Sequence, residues 1–313
     1  MQIPHRKHLS AAVSALLVVS VLTDAQAATF TIANYNPLFQ GIDETTATIQ
    51  GGSGVSQAYV VRIDLAAQGV GFTTTPHSGS LETTSQTTTQ FLASSGTQVA
   101  INAAFFDPCG CSTTTSDAKN LEGLAISSGA LVSPDQAGNA SLLLTQDNHA
   151  SFAVGGTANT NNIWTAVSGG GFVLQNGVNV VNGSIPGDPL NPNPRSVVGL
   201  SQSDMYMYLV AIDGRQAGYS NGVTQAEEAD LLSALGAYNA INLDGGGSTA
   251  LAVQGADGSP DLLNRPSGGA ERYNGNNFGV YAAPLPTPLP PALLLLGSGL
   301  LGVFGIGRRR TAA

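Results

Sequence analysis

Two short stretches of this chain carry residue types that do chemistry: Asp213-Gly-Arg215 and Asn242-Leu-Asp244-Gly245-Gly246-Gly247-Ser248. Each closes a strand-like run, Met205 to Ile212 before the first and Tyr238 to Leu243 before the second. A carboxylate at the end of a buried strand is costly unless it meets a cleft, a cation or a hydrogen-bond donor. The glycines after Asp244 remove side chains, so a ligand can approach bare backbone N–H groups. Two carboxylates, a guanidinium and a glycine shelf describe a site for a polar, anionic guest.

The elements that must position these groups are mostly strands. Ser56–Leu65 alternates apolar and polar residues, as a half-buried strand does. Gln98–Phe106 reads as a buried strand that delivers Asn102 and Asp107 near its end. Short strand signals follow at 124–126, 130–132, 141–145 and 150–154. Asn176-Gly177 after Gly169-Gly-Gly-Phe-Val-Leu is a hairpin signal. The proline-rich loop 186–194 feeds a strand at 195–200. Thr224-Gln-Ala-Glu227 fits a capping box for a helix over 225–236, with Glu227 and Glu228 in the first turn, where negative charge is favoured. A second helix is expected at 89–95. A strand, helix and strand in succession suggest a crossover between neighbouring strands, bringing Asp213 and Asp244 to one sheet edge. The expected class is α+β: one strand-rich domain with a mixed sheet and a few packed helices.

The ends set the context. Arg6, Lys7 and His8 precede an apolar stretch from Leu9 to Leu22, and Ala25-Gln-Ala27 offers small residues for cleavage, so residues 1–27 read as a secretory signal. The domain then spans 28–283. Residues 284–313 hold a stiff proline-rich linker, an apolar run from Ala292 to Ile306 and Arg308-Arg309-Arg310. That run barely reaches across the ~30 Å hydrocarbon core of a bilayer, and the arginines place its end on the cytoplasmic side.

Between the tails stand six basic and nineteen acidic side chains, a formal charge of −13. Nucleic acid and anionic membrane are therefore excluded as partners of the body. Four of the six cations are Arg195, Arg215, Arg265 and Arg272, beside Gly, Pro and Asp motifs. His77 and His149 are the only histidines in the body, too few for histidine-based catalysis. Cys109 and Cys111 are the only cysteines. Their spacing suits a local turn better than redox chemistry, and a metal site there lacks further ligands.

Asn102-Ala-Ala-Phe-Phe-Asp107, Gly169-Gly-Gly171, Pro194-Arg195-Ser-Val-Val-Gly199, Asp213-Gly-Arg215, Asn242 to Ser248 and Asn264-Arg265-Pro266 occur in that order. The series resembles the phosphodiester glycosidase family, over roughly Arg62 to Tyr281. Ala103-Ala104 stands where relatives often have glycine. The resemblance implies cleavage between an anomeric carbon and a phosphodiester oxygen. It implies guanidinium forks on the phosphate, from Arg195 and Arg215 first and Arg272 second. It also implies a carboxylate beside an oxocarbenium-like transition state and a second group to manage a proton. Asp213 and Asp244 are that pair, with Glu271 and Asp107 in reserve. Gly245, Gly246, Gly247 and Ser248 would meet phosphate or sugar hydroxyls, and Asn102 and Asn242 would orient them. Asparagines and Asp-Gly turns also satisfy their own backbone, and this structural role is equally open for the two asparagines. Arg265 is expected to brace a loop through an ion pair. No cofactor is required, with calcium on Asp213, Asp244 and nearby carbonyls as the alternative.

The C-terminal layout, with Ala283-Pro-Leu-Pro286 leading into the apolar run and the arginine cluster, resembles PEP-CTERM sorting tails. That resemblance implies an exosortase-type partner, transient membrane anchoring and a surface location in a bacterium that makes exopolysaccharide. The expected function is an exported hydrolase of a glycosyl phosphodiester. A non-catalytic carbohydrate-binding surface protein is the rival.

Overall fold

The strand Arg195–Ser201 is buried at every position, and its neighbours explain why. It lies between Tyr206–Ile212 and Ala237–Asn242, antiparallel to both. Successive side chains of a strand face opposite ways. Val198 and Leu200 therefore enter a core shared with two smaller sheets, while Val197 enters a second core under a helix. The same division separates Leu209 from Val210 and Ile241 from Ala240. With both faces covered, these strands read as continuous apolar runs.

The computed structural model describes residues 28–109 and 115–286. The expected signal segment 1–27, the apolar run and arginine cluster of the tail, and Cys111 lie outside the described residues; Cys109 is exposed. No helix among the described residues is long and apolar enough to cross a membrane.

Nine strands form the main sheet. In spatial order they are Thr29–Ile32, Ile42–Gly51, Gly54–Asp64, Tyr206–Ile212, Arg195–Ser201, Ala237–Asn242, Gly171–Gln175 and Val178–Asn179, with Asn36–Phe39 also paired to Ile42–Gly51. One five-stranded sheet runs Ala130–Ser133, Ala125–Ser127, Ile163–Gly169, Ala140–Thr145, Ala150–Val154. Another runs Pro260–Leu262, Leu251–Gln254, Val99–Asn102, Asn277–Tyr281, Gly71–Thr74. Leu142, Leu144, Val167, Ile101, Leu251 and Phe278 from these two meet Val61, Ile63 and Leu209 of the main sheet in the large core.

Two expectations need correction. Every strand pairing among the described residues is antiparallel, so the sheet is not mixed. The two strands joined through a helix are not neighbours either, because Arg195–Ser201 lies between them. They still run the same way, since each is antiparallel to the strand between them, so their ends reach the same edge.

Helix α1 spans Thr88–Ser95 and helix α2 spans Gln225–Leu235. Both begin with a capping box. Thr87 accepts from the Gln90 N–H and Thr224 from the Glu227 N–H, and the Gln90 and Glu227 side chains reach back to the cap N–H. Such a cap contributes about 1 kcal/mol. Leu231, Leu232, Leu235 and Ala229 of α2 pack on Val197, Val210 and Ala240. Glu227 also binds Ser53, through the backbone N–H and the hydroxyl, stitching α2 to the Gly51–Gly54 turn.

Three backbone bonds fix the residues after Ala237–Asn242. Leu243 N–H donates to Ser196 O (2.8 Å), Asp244 N–H to Ala103 O (2.8 Å) and Gly246 N–H to Pro194 O (2.8 Å). Segments from three parts of the sequence thereby meet at one edge.

Candidate active site

At that edge lies a cavity of about 300 Å³, lined by Gly187, Asp188, Asn193, Arg195, Arg215, Gly245, Gly246, Gly247 and Arg272. Gly245 is required by the carbonyl against it and Gly246 by its φ of 62, while Gly247 lets a guanidinium group approach the backbone. A Cβ on Gly245 would sit 2.7 Å from Pro194 O, one on Gly247 2.3 Å from Arg272 Nη2, and one on Gly246 3.2 Å from Arg215 Nη2. The shelf thus brings two guanidinium groups close over bare backbone. Arg215, at φ 58, donates from Nε and Nη2 to Asn193 Oδ1 at 3.1 and 2.7 Å. Asn193 in turn donates to Asp188 Oδ2 (2.9 Å). Hydrogen bonds from Asn191 and then Asn193 hold the Asp188 carboxyl below its usual range.

Arg272 joins the cavity to a carboxyl group. It lines the cavity, donates from Nη1 to Ser248 Oγ (3.1 Å), and is a charge neighbour of Asp244. Asp244 stands just before the glycine shelf, partly open to solvent yet densely surrounded by protein. Burial pushes its pKa up to about 7. Hydrogen bonds from the Ser248 side chain and the Gly245 N–H and the charge of Arg272 oppose that rise, while the charge of Glu122 adds to it. A carboxyl poised there exchanges a proton near neutrality.

The other sequence candidates are placed differently. Asp213 reaches the same edge as Asp244, and its carboxylate is engaged by neighbouring donors. It accepts from Tyr219 Oη (3.1 Å), Asn264 Nδ2 (3.0 Å) and the Arg265 N–H (3.0 Å to each oxygen). Burial raises its pKa, and these bonds oppose the rise. It locks the Asn264-Arg265 loop to the strand end. Among the described residues no group of three or more His, Cys, Asp or Glu side chains gathers for a metal. The Arg265 brace works through its N–H and through its guanidinium over the Tyr219 ring (5.3 Å), where an ion pair was expected.

Arg195 lines the cavity but grips its wall. It donates to Val223 O (3.0 Å), Gly187 O (2.5 Å), Asp188 O (2.8 Å) and Asn191 O (2.8 Å), pinning the 186–194 loop. Asn102 is fully buried; it donates to Asp244 O (2.5 Å) and accepts from Ser196 Oγ (2.6 Å) and the Ala250 N–H (3.1 Å). It holds the Asp244 backbone in place. Asn242 is buried too, with Nδ2 on Leu243 O (2.8 Å) and Oδ1 without a protein partner. Glu271 points to α1, where it accepts from the Thr89 N–H (3.1 Å) and hydroxyl (2.5 Å). Asp107 is exposed on the short strand Phe106–Asp107, opposite Asn120.

The surroundings of two acidic residues were not foreseen from the sequence. Glu122, exposed, lies near enough for its charge to act on Asp244, and its N–H donates to Phe105 O (2.8 Å). Its segment carries no motif, so only the fold reveals it. Glu228, expected as a helix first-turn charge, is fully buried. Both its oxygens lack protein partners, and burial pushes its pKa up to about 8 against the opposing charge of Arg195.

Residues 95–281, more than half of the chain, match the profile of the phosphodiester glycosidase family. The chain belongs to that family. Solved structures with the same fold include the catalytic domain of zebrafish N-acetylglucosamine-1-phosphodiester alpha-N-acetylglucosaminidase, auto-inhibited by its pro-peptide (18% identity, TM-score 0.59, covering 81% of this chain and 88% of that one). A putative exported protein from Burkholderia pseudomallei aligns at 13% identity and TM-score 0.60, over 86% of this chain and all of that one. A hypothetical protein from Synechocystis aligns at 16% and 0.58, covering 79% of this chain. This chain spans 64% of the Synechocystis protein. At these identities the likeness is one of fold. No curated protein matches the sequence.

Proposed function

We propose that this phosphodiester glycosidase family member hydrolyses a sugar-1-phosphodiester at the bond between C1 and the phosphate oxygen. One observation carries the reading: Arg272 belongs both to a cavity walled by guanidinium groups and to the surroundings of a carboxyl whose pKa is about 7. Arg215 and Arg272 neutralise the diester. Asp244 gives its proton to the departing phosphate oxygen as the C1–O bond breaks. Water adds to C1, its proton passing to Glu122. The products are a reducing sugar and a phosphomonoester. Asn102, Asp213 and Arg195 position the groups that act, through the Asp244 backbone, the 264–265 loop and the 186–194 loop respectively.

The natural substrate belongs to exopolysaccharide or envelope glycan metabolism in this proposal. The protein is exported by its 1–27 segment, and its tail is recognised by an exosortase-type enzyme after transient anchoring. Cell fractionation of a tagged full chain tests the location; retention in the cytoplasm rejects it. For activity, ³¹P NMR follows a sugar-1-phosphate diester incubated with the full chain. Diester converting to monoester, and Asp244→Asn abolishing this with the fold retained, supports the enzyme. Glycan binding without turnover by either protein supports the rival binding role.

A further inference from the structure

A second cavity, of about 590 Å³, opens between α1, the strand Gly71–Thr74 and the turn at Ser127-Ser128. Among the described residues no charged side chain lines it, in contrast to the arginine-walled cleft. Its size is that of a small-ligand site. Serine and threonine hydroxyls make most of its wall, and five of them have donated their protons to backbone carbonyls. Ser94 and Ser95 donate to Phe91 O and Leu92 O in α1 (3.2 and 3.3 Å), Ser116 to Ser85 O (2.5 Å), Ser127 to Thr74 O (2.7 Å), and Thr74 to Asn277 O (2.7 Å). A hydroxyl that has donated its one proton still offers lone pairs. At these five positions the cavity therefore presents acceptors, on a wall of uncharged hydroxyls.

Acceptors without a cation repel phosphate and carboxylate groups. Acceptors without a carboxylate leave a bound cation unbalanced. The occupant that fits is neutral and rich in hydroxyls, with an apolar face for the ring of Tyr281, about one-third exposed (37%). We infer that this cavity is a binding site for a neutral saccharide, separate in charge from the cleft that takes the anion. The inference does not depend on diester turnover. The segment from Glu271 to Asn274 lies between the two sites: Glu271 holds α1 and Asn274 pairs with Gln86 on one side, while Arg272 faces the cleft on the other. A polymer could thus be held at a neutral stretch while its phosphodiester is processed nearby.

The test is affinity electrophoresis of the full chain in gels containing dextran, galactomannan or hydroxyethylcellulose, with and without inorganic phosphate. Retardation by at least one glycan, undiminished by phosphate, is expected. Ser94 and Ser128 are exposed at the cavity, so Ser94→Arg and Ser128→Arg fill it without disturbing the core. Each should weaken retardation at least fivefold while the unfolding midpoint stays unchanged. Migration unaffected by all three glycans overturns the inference. So does retardation that phosphate abolishes, or that both arginine variants retain in full.

Discussion

Replacing Glu228 by glutamine should flatten the pH dependence of this protein's stability. Glu228 is fully buried, its two oxygens lack protein partners, and its pKa rises from an ordinary 4.5 to about 8 in the fold. A carboxyl whose folded pKa is raised binds its proton more tightly when native. The folded state is thus favoured at low pH and loses stability as pH climbs from the unfolded value through the folded one. Between pH 5 and pH 8 the linkage relation gives a loss of about 3 kcal/mol from this group alone. For a domain of this size that corresponds to roughly 10 °C in unfolding midpoint. Glutamine keeps the shape, is neutral at every pH and removes the loss. Urea or thermal unfolding of wild type and Glu228→Gln at pH 5, 6, 7 and 8 measures it. The variant should gain on wild type steadily as pH rises. Parallel curves, with a gap that changes by less than about 0.5 kcal/mol across the range, would refute a buried, unpaired Glu228.

Three more outcomes follow from the site. If Asp244 donates the proton, kcat/KM should fall above about pH 7, where its carboxyl ionises, and Asp244→Asn should cost about 10²-fold or more; a profile flat from pH 6 to 9 removes it from the acid role. Gly247→Ala puts a methyl group 2.3 Å from Arg272 Nη2 and should raise KM for the diester about tenfold with little change in Tm; an unchanged KM shows that Arg272 does not hold substrate. Asp213→Asn sets an amide against donors from Tyr219, Asn264 or Arg265 and should cost about 1–3 kcal/mol of stability by denaturant melts. Activity per folded molecule should largely persist, and a loss comparable to that of Asp244→Asn would mean that Asp213 acts on substrate.

How much was legible differs by residue. The capping box at Thr224 involves a partner three positions away, so the sequence displays both halves, whereas the one at Thr87 was hidden in a Thr/Ser-rich stretch. The strand ends carrying Asp213 and Asp244 were visible, because apolar runs and Asp-Gly turns are local patterns. Strand order was not: nothing in residues 205–243 says that Arg195–Ser201 will lie between its two neighbours. Nor could Arg195 and Arg215 be told apart by type. One is surrounded by four backbone carbonyls and the other leans over glycine, and both surroundings come from other segments.

By itself the sequence determined part of the inventory: both helices, several of the strands, which carboxylates and guanidinium groups lie at their ends, and where glycine leaves backbone bare. Tertiary structure alone decided the direction of each charged side chain. Asp213 turned to its own loop, Asp244 stayed with Arg272, and Glu122 arrived from a segment without a motif. The reason is physical. An element's existence depends on neighbours a few residues away, whereas the protonation and partners of a buried charge depend on whatever distant chain packs against it.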